Sequence, residues 1–187
     1  MIDHLQATNQ LIEKALEFNL GLYIAFVDYK KAFDSVEHKP ILQTLKNQGI
    51  QNTYITLLAN LYTEFKAKIQ TEVEGNAFPL QRGVKQGDPL APKLFTAVLE
   101  KHMRKLEWET KHGINIDGQR LTHLRFADDI ILISSAKELE TMLRDLDTVS
   151  REIELTMNTS KTKIMTNANV IPIHIRREQI EHVTDYI

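Results

Sequence analysis

"LTHLRFADDIILISS" (residues 121–135) sets two adjacent carboxylates, Asp128 and Asp129, between two runs of strand-forming apolar residues. An Asp-Asp pair at a tight turn is ordinary chemistry, because Asp tolerates turn conformations and hydrogen-bonds its own backbone. The flanks argue for more. "LRFA" and "IILIS" have the composition of central strands, where a solvated tip more usually carries Gly or Asn. The stretch therefore predicts a hairpin inside a sheet, with two like charges at its rim that repel each other unless a cation lies between them.

Working outward, "LYIAFVD" (22–28) is a continuous apolar run with β-branched and aromatic content, the mark of a strand buried on both faces, and it ends at Asp28. Before it, "IDHLQATNQLIEKALEF" steps its apolar residues by three and four behind Asp3, which predicts an amphipathic helix. After it come helical patterns over 38–48 and 52–64, then "KAKIQTEVEGNAFPLQRG", which alternates like a hairpin turning at Gly75-Asn76. Asp88 before Pro89 opens a long helix predicted over 90–111, Asp117-Gly118 marks a turn, and a Glu- and Leu-rich helix over 137–153 precedes the strand "KTKIMTN".

In order, these elements read strand, helices, helix, strand, strand, helix, strand. That is the split βαββαβ pattern of an α+β, ferredoxin-like fold: an antiparallel sheet with its helices on one face, the other face open to a large ligand, and a small inserted β-hairpin. The first strand then lies against the middle pair, so Asp28, Asp128 and Asp129 are expected to converge. The chain has no Cys, and its seven His are scattered without ligand spacing. An all-oxygen site suits Mg²⁺ or Mn²⁺ and argues against Zn²⁺. Two such ions about 3.5 to 4 Å apart serve in-line phosphoryl transfer.

Composition sets the outer limits. With 187 residues, 42% of them hydrophobic, the chain can bury one domain's core. Lys plus Arg total 23 against 25 for Asp plus Glu, a formal charge of −2, which by itself gives no warrant for a nucleic-acid binder. Absence of Cys fits a reducing, intracellular compartment. No run reaches the roughly 18 apolar residues of a membrane span, and the N-terminus lacks a signal-peptide layout, so a soluble chain with no membrane partner is expected.

The motifs also carry a family resemblance. "FVDYKKAFDSV" (26–36), "RGVKQGDPLAPKLF" (82–95), "LRFADDIILIS" (124–134) and "MNTSKTKIM" (157–165) resemble, in order, the palm motifs of reverse transcriptases, most closely those of non-LTR (LINE-type) retrotransposons. The resemblance implies an RNA-directed DNA polymerase palm using two Mg²⁺ or Mn²⁺ ions. Its partners would be an RNA template, a DNA primer and deoxynucleoside triphosphates. It makes Asp28 and Asp128 the main metal ligands, with Asp129 the third carboxylate. Phe33 matches the aromatic steric gate against a ribose 2′-hydroxyl, although a core aromatic would satisfy the same spacing.

Gln86 and Gly87 match the segment that lies against nucleotide and template, and Arg82 and Lys85 flank it as phosphate contacts. Taken singly, either cation reads as a solvated surface charge. Lys161 matches the lysine proposed to protonate the departing pyrophosphate, with Lys163 a neighbour on the same strand face. Asp34 reads as a turn or cap residue. Ala91 and Asp88 stand where many relatives have Ser and Cys.

By the same resemblance, residues 1–187 form a single domain: an N-terminal helix from the fingers side (1–19), the palm (20–166) and a truncated lead-in to the primer grip (167–187). Fingers and thumb segments, which would supply much of the cationic surface, are expected to be absent from this chain. The rival expectation is a truncated or co-opted palm that is catalytically inactive and acts as an interaction module. The life cycle of such elements points to nucleus and cytoplasm.

Overall fold

The computed structural model describes residues 2–63, 66–67, 76, 78–84, 87–110, 112–116 and 118–185. In chain order its elements are α1 (Ile2–Glu17), β1 (Tyr23–Val27), α2 (Ala32–Ser35), α3 (His38–Asn47), α4 (Asn52–Thr63), β2 (Lys66–Ala67) and β3 (Phe78–Pro79). There follow α5 (Ala91–Met103), β4 (Ile114–Ile116), β5 (Gln119–Leu121), β6 (His123–Phe126), β7 (Asp129–Ser134), α6 (Ala136–Arg151) and β8 (Lys163–Thr166). The C-terminal segment adds β9 (His174–Ile175), β10 (Glu178–Gln179) and β11 (Glu181–His182).

The main sheet has five strands in the order β11-β8-β1-β7-β6. β1 is central and antiparallel to both neighbours, pairing Val27 with Ile130 of β7 and Phe26 with Lys163 of β8. β6 and β7 form the expected hairpin, closing with Phe126 opposite Asp129. The apolar run of β1 is explained by burial on both faces. Tyr23, Ala25 and Val27 join the larger core, whereas Leu22 and Ile24 join a second cluster on the opposite face.

The larger core is built by α5 and α6. Leu139, Met142, Leu143 and Leu146 of α6 are fully buried at three- and four-residue steps, the stripe that its sequence spacing predicts. Each such side chain contributes on the order of 2 kcal/mol by leaving water.

Two expectations about the sheet need correction. The helices do not all lie on one face: Leu11 and Ala15 of α1 pack with Leu22, Ile24 and Ile133 on the side expected to be open, and Ile114 and Leu121 of the β4–β5 hairpin join them. Nor is the sheet purely antiparallel, because β11 adds to β8 in parallel, with Glu181 opposite Lys163. The tail had only a short apolar alternation to announce this. Its Ile173, Ile175 and Ile180 are buried in the larger core.

The long helix predicted to 111 stops at Met103, passes through a 3-10 turn (Arg104–Leu106) and breaks at Glu107, whose φ is 48°. The break turns Trp108 inward. Its ring is buried, meets His123 of β6 edge-on at 5.9 Å, and its Nε1 donates to Asp145 of α6 at 3.4 Å. A large indole gains more from the core than a continued helix gains from propensity. At the other end, Asp88 accepts from the Leu90 N–H at 2.8 Å, and the proline in the first turn is Pro92.

The inserted hairpin is seen as Lys66–Ala67 pairing with Phe78–Pro79, while Gly75 of its expected tip lies outside the described residues. The turn at 117–118 joins β4 to β5, with Gly118 at φ 86° and Asp117 outside the described residues. Gly113 opens that hairpin at φ 84°, and a Cβ there would meet the Leu121 carbonyl oxygen at 2.4 Å. Gly113→Ala is therefore expected to cost about 2 kcal/mol, read as a lower urea midpoint at unchanged slope. No helix among the described residues is long and apolar enough to cross a membrane.

Candidate active site

Three motifs that are distant in sequence meet at one end of β1. Asp28 is the first residue past β1, and Asp129 is the first of β7. Continuing the β1–β7 register by one residue past Val27 and Ile130 sets Asp28 opposite Asp129. Asp128 occupies the two-residue turn between β6 and β7, beside Ala127 at φ 55°. A non-glycine residue in that region carries a strain of order 1 kcal/mol or more and is enriched at functional sites.

Electrostatics links the three acids. The Asp128 carboxyl is pushed above the ordinary carboxylate value by partial burial first, and then by the negative charges of Asp129 and Asp28. Its folded pKa lies above its unfolded one, so the folded chain keeps a proton through a window where the unfolded chain has lost it. Stability therefore falls as pH rises through that window, and the penalty persists at neutral pH. Asp128→Asn is accordingly expected to raise the melting temperature at pH 7, with the gain vanishing as the pH is lowered past the ordinary value of 3.8.

The acids do not, however, form the ligand set anticipated from the sequence. Among the described residues, no group of three or more His, Cys, Asp or Glu side chains is gathered so as to hold a metal ion by itself. Asp129 is exposed, whereas Asp28 and Asp128 are half-buried. An Mg²⁺ ion commonly takes only one or two protein carboxylates and completes its shell with water and substrate phosphates. The crowded, mutually repelling, all-oxygen donors fit that kind of ion.

Asp28 is held from behind. Its N–H donates to Thr162 Oγ1 at 3.3 Å, and its carbonyl accepts from the Asn158 N–H at 2.8 Å. Tyr29 bridges to Met157, and its buried hydroxyl shares a 2.6 Å hydrogen bond with Ser150 of α6. Burial pushes that hydroxyl well above the usual tyrosine range. Lys161 sits on the turn between Asn158 and Thr162, exposed, with no ion pair among the described residues. Lys163 is committed elsewhere, 2.5 Å from Glu181 and donating to the Ser160 carbonyl at 2.8 Å.

The segment at 82–95 is laid against the one at 26–36. Gly83 N–H donates to Val36 and Val84 N–H to Phe33, each at 2.8 Å, and His38 Nε2 meets the Gly83 carbonyl at 2.8 Å. Phe33, on α2, is half-buried with its ring 4.9 Å from that of Phe95, so it packs on the core edge while keeping an exposed side. Gly87 is exposed at φ 85°, with open space where a Cβ would stand. Lys85 and Gln86 lie outside the described residues. Arg82 is exposed but lies 3.2 Å from Glu37 and 3.8 Å from Glu154, so a phosphate contact would have to displace those carboxylates.

Sequence reasoning gave no role to Thr162 or Asn158. Both stand in a motif already singled out, "MNTSKT", but the hydrogen bond from Asp28 to Thr162 spans 134 positions and leaves no local signal.

The pattern of the family described as reverse transcriptase (RNA-dependent DNA polymerase) matches residues 2–182. The retrovirus-related Pol polyprotein from the type-1 retrotransposable element R2 of Nasonia vitripennis is 37% identical over 119 residues, 63% of this chain and 11% of that protein. The corresponding R2 polyprotein of Popillia japonica is 30% identical over 147 residues, 76% of this chain and 22% of that protein. The chain thus spans about a tenth to a fifth of the curated relatives it matches. Among solved structures, apo telomerase from Candida tropicalis, truncated from its C-terminal domain, superposes with a TM-score of 0.61 at 18% identity. That match covers 88% of this chain and 36% of the telomerase, and it is a likeness of fold.

Proposed function

The chain belongs to the reverse transcriptase (RNA-dependent DNA polymerase) family, on its non-LTR retrotransposon branch, and from that premise we propose that residues 20–166 are the catalytic palm of an RNA-directed DNA polymerase. The observation that carries the reading is the meeting of Asp28, Asp128 and Asp129 at one end of the central antiparallel strands, with Gly83 and Val84 hydrogen-bonded to Val36 and Phe33 of the motif that contains Asp28. The strand order β8-β1-β7-β6 supports reading the sheet as the split βαββαβ palm. An R2 polyprotein is several times longer than this chain, so the reading includes further segments of such a protein gripping the triphosphate, template and primer.

In the proposed reaction a primer 3′-hydroxyl attacks the α-phosphate of a deoxynucleoside triphosphate, losing its proton to solvent and forming a P–O bond as the bond to pyrophosphate breaks. Asp28 and Asp128 would hold two divalent ions, Mg²⁺ or Mn²⁺, with Asp129 as the third acid. The chemistry such ions would supply is acidification of the attacking hydroxyl and neutralisation of the leaving oxygens. Lys161, exposed and without an ion-pair partner among the described residues, delivers a proton to the departing pyrophosphate. Phe33 presents its exposed side to the sugar and crowds a 2′-hydroxyl. Gly87 is assigned to the nucleotide, and Arg82 to its phosphates once released from Glu37 and Glu154; the same roles for Gln86 and Lys85 rest on the family motif alone.

The rival reading, an inactive palm serving as an interaction module, draws on the lack of a three-ligand group among the described residues. RNA-templated primer extension separates the two. The polymerase reading predicts deoxynucleotide addition, and Phe33→Val is expected to raise the ribonucleotide-to-deoxynucleotide ratio roughly tenfold to a hundredfold. Absence of extension from a chain joined to the remaining R2 segments contradicts it.

A further inference from the structure

We propose that Thr162 is a positioning residue for Asp28, and that the turn Asn158–Thr162 sets the Asp28 carboxylate and the Lys161 amine as one unit. The inference rests on the catalytic reading above and adds to it a residue with no chemistry of its own.

Asp28 lies one residue past β1, between the end of that strand and the isolated bridge from Tyr29 to Met157. Its two backbone groups are taken up by the same turn. The N–H reaches Thr162 Oγ1 at 3.3 Å, and the carbonyl receives the Asn158 N–H at 2.8 Å. Thr162 has no exposed surface, and burying a hydroxyl there is unfavourable unless it makes such a bond. The Asn158 carbonyl accepts from both Lys161 N–H at 3.2 Å and Thr162 N–H at 2.8 Å, which closes the turn and carries Lys161 on its outer side. Ser160 Oγ donates to Asn158 Oδ1 at 2.8 Å and stiffens it further.

The turn is itself fastened from outside. Thr159 donates to Glu178, and Lys163 is 2.5 Å from Glu181, so the C-terminal β9–β10 hairpin and β11 hold both of its ends. Arg176, in the same hairpin, is paired with the buried Asp147 of α6. A rotation of Asp28 must therefore disturb a chain of contacts ending in the core. Fixed ligand orientation is what a weakly chelating pair of carboxylates needs in order to hold an ion.

The test is Mn²⁺ titration of the 187-residue chain, reading free Mn²⁺ by electron paramagnetic resonance, for the parent, Thr162→Val, Thr162→Ser and Asp128→Ala. Val removes the acceptor at nearly constant volume and is expected to weaken Mn²⁺ binding roughly tenfold, the low end for supporting residues because the effect passes through the backbone. Ser keeps the hydroxyl and is expected to bind like the parent. A purely structural role would lower the melting temperature in Thr162→Val and leave Mn²⁺ affinity unchanged. That result overturns the proposal, as does a Ser variant no better than Val.

Should Thr162→Val fail to fold, Glu178→Ala loosens the turn from its exposed side. A smaller loss of affinity in the same direction upholds the proposal, and none overturns it. The two levels of inference fail differently. Mn²⁺ binding indifferent to Asp128→Ala removes the catalytic reading and this proposal with it; binding lost in Asp128→Ala but untouched by Thr162→Val removes this proposal alone.

Discussion

Asp128→Ala is expected to reduce RNA-templated primer extension at least about a thousandfold, assayed with residues 1–187 carried in the longer frame of an R2 polyprotein. The expectation follows from position. Asp128 stands at the tip of the β6–β7 hairpin, half-buried, with its ionised form disfavoured by burial and by Asp129 and Asp28. A site that pays this electrostatic cost without a cation gains most when one is bound, and loses that gain when the carboxylate is removed. The same substitution should leave the fold intact or firmer, because it relieves repulsion. Unchanged far-UV circular dichroism and a melting temperature at or above the parent's would separate lost chemistry from lost structure.

Asp147→Ala is expected to lower stability by about 3 kcal/mol. Asp147 is buried on α6 at 6% exposure, accepts from Arg176 Nε at 2.8 Å and from its Nη2, and lies 3.2 Å from Arg151 Nε. Removing the acid leaves Arg176 and Arg151 without the carboxylate they share. The loss falls at the lower end of the range for broken buried pairs, since both arginines can reach solvent. Arg176→Met should cost less, because Asp147 keeps Arg151. Urea unfolding of the three proteins gives the comparison, and equal losses in the two variants would contradict it.

Much of this architecture was legible where segments carry their own signal. The apolar run before Asp28 and the spaced leucines of α6 report burial directly, and "LRFADDIILIS" encodes both strands and the turn between them. What stayed hidden depends on contacts between distant segments. Nothing local in Leu11 or Ala15 says which sheet face α1 covers, and the parallel docking of β11 rests on a dipeptide strand too short to show a period. The end of α5 is decided by where Trp108 finds a pocket, not by helix propensity up to Glu107.

The candidate site divides in the same way. Asp28, Asp128 and Asp129 were readable as carboxylates at strand ends, and the structure brings those ends together. Arg82 read as a cation open to phosphate, yet Glu37 and Glu154 face it across the fold. Thr162 read as a strand residue beside a lysine, and only the packed chain places its hydroxyl on the Asp28 backbone.

The most direct test of the central claim is manganese anomalous scattering from crystals of the chain grown with Mn²⁺. The account predicts a peak bound by the carboxylates of Asp28 and Asp128 that disappears in Asp128→Ala. Manganese bound elsewhere, with both carboxylates free of it, would contradict the account.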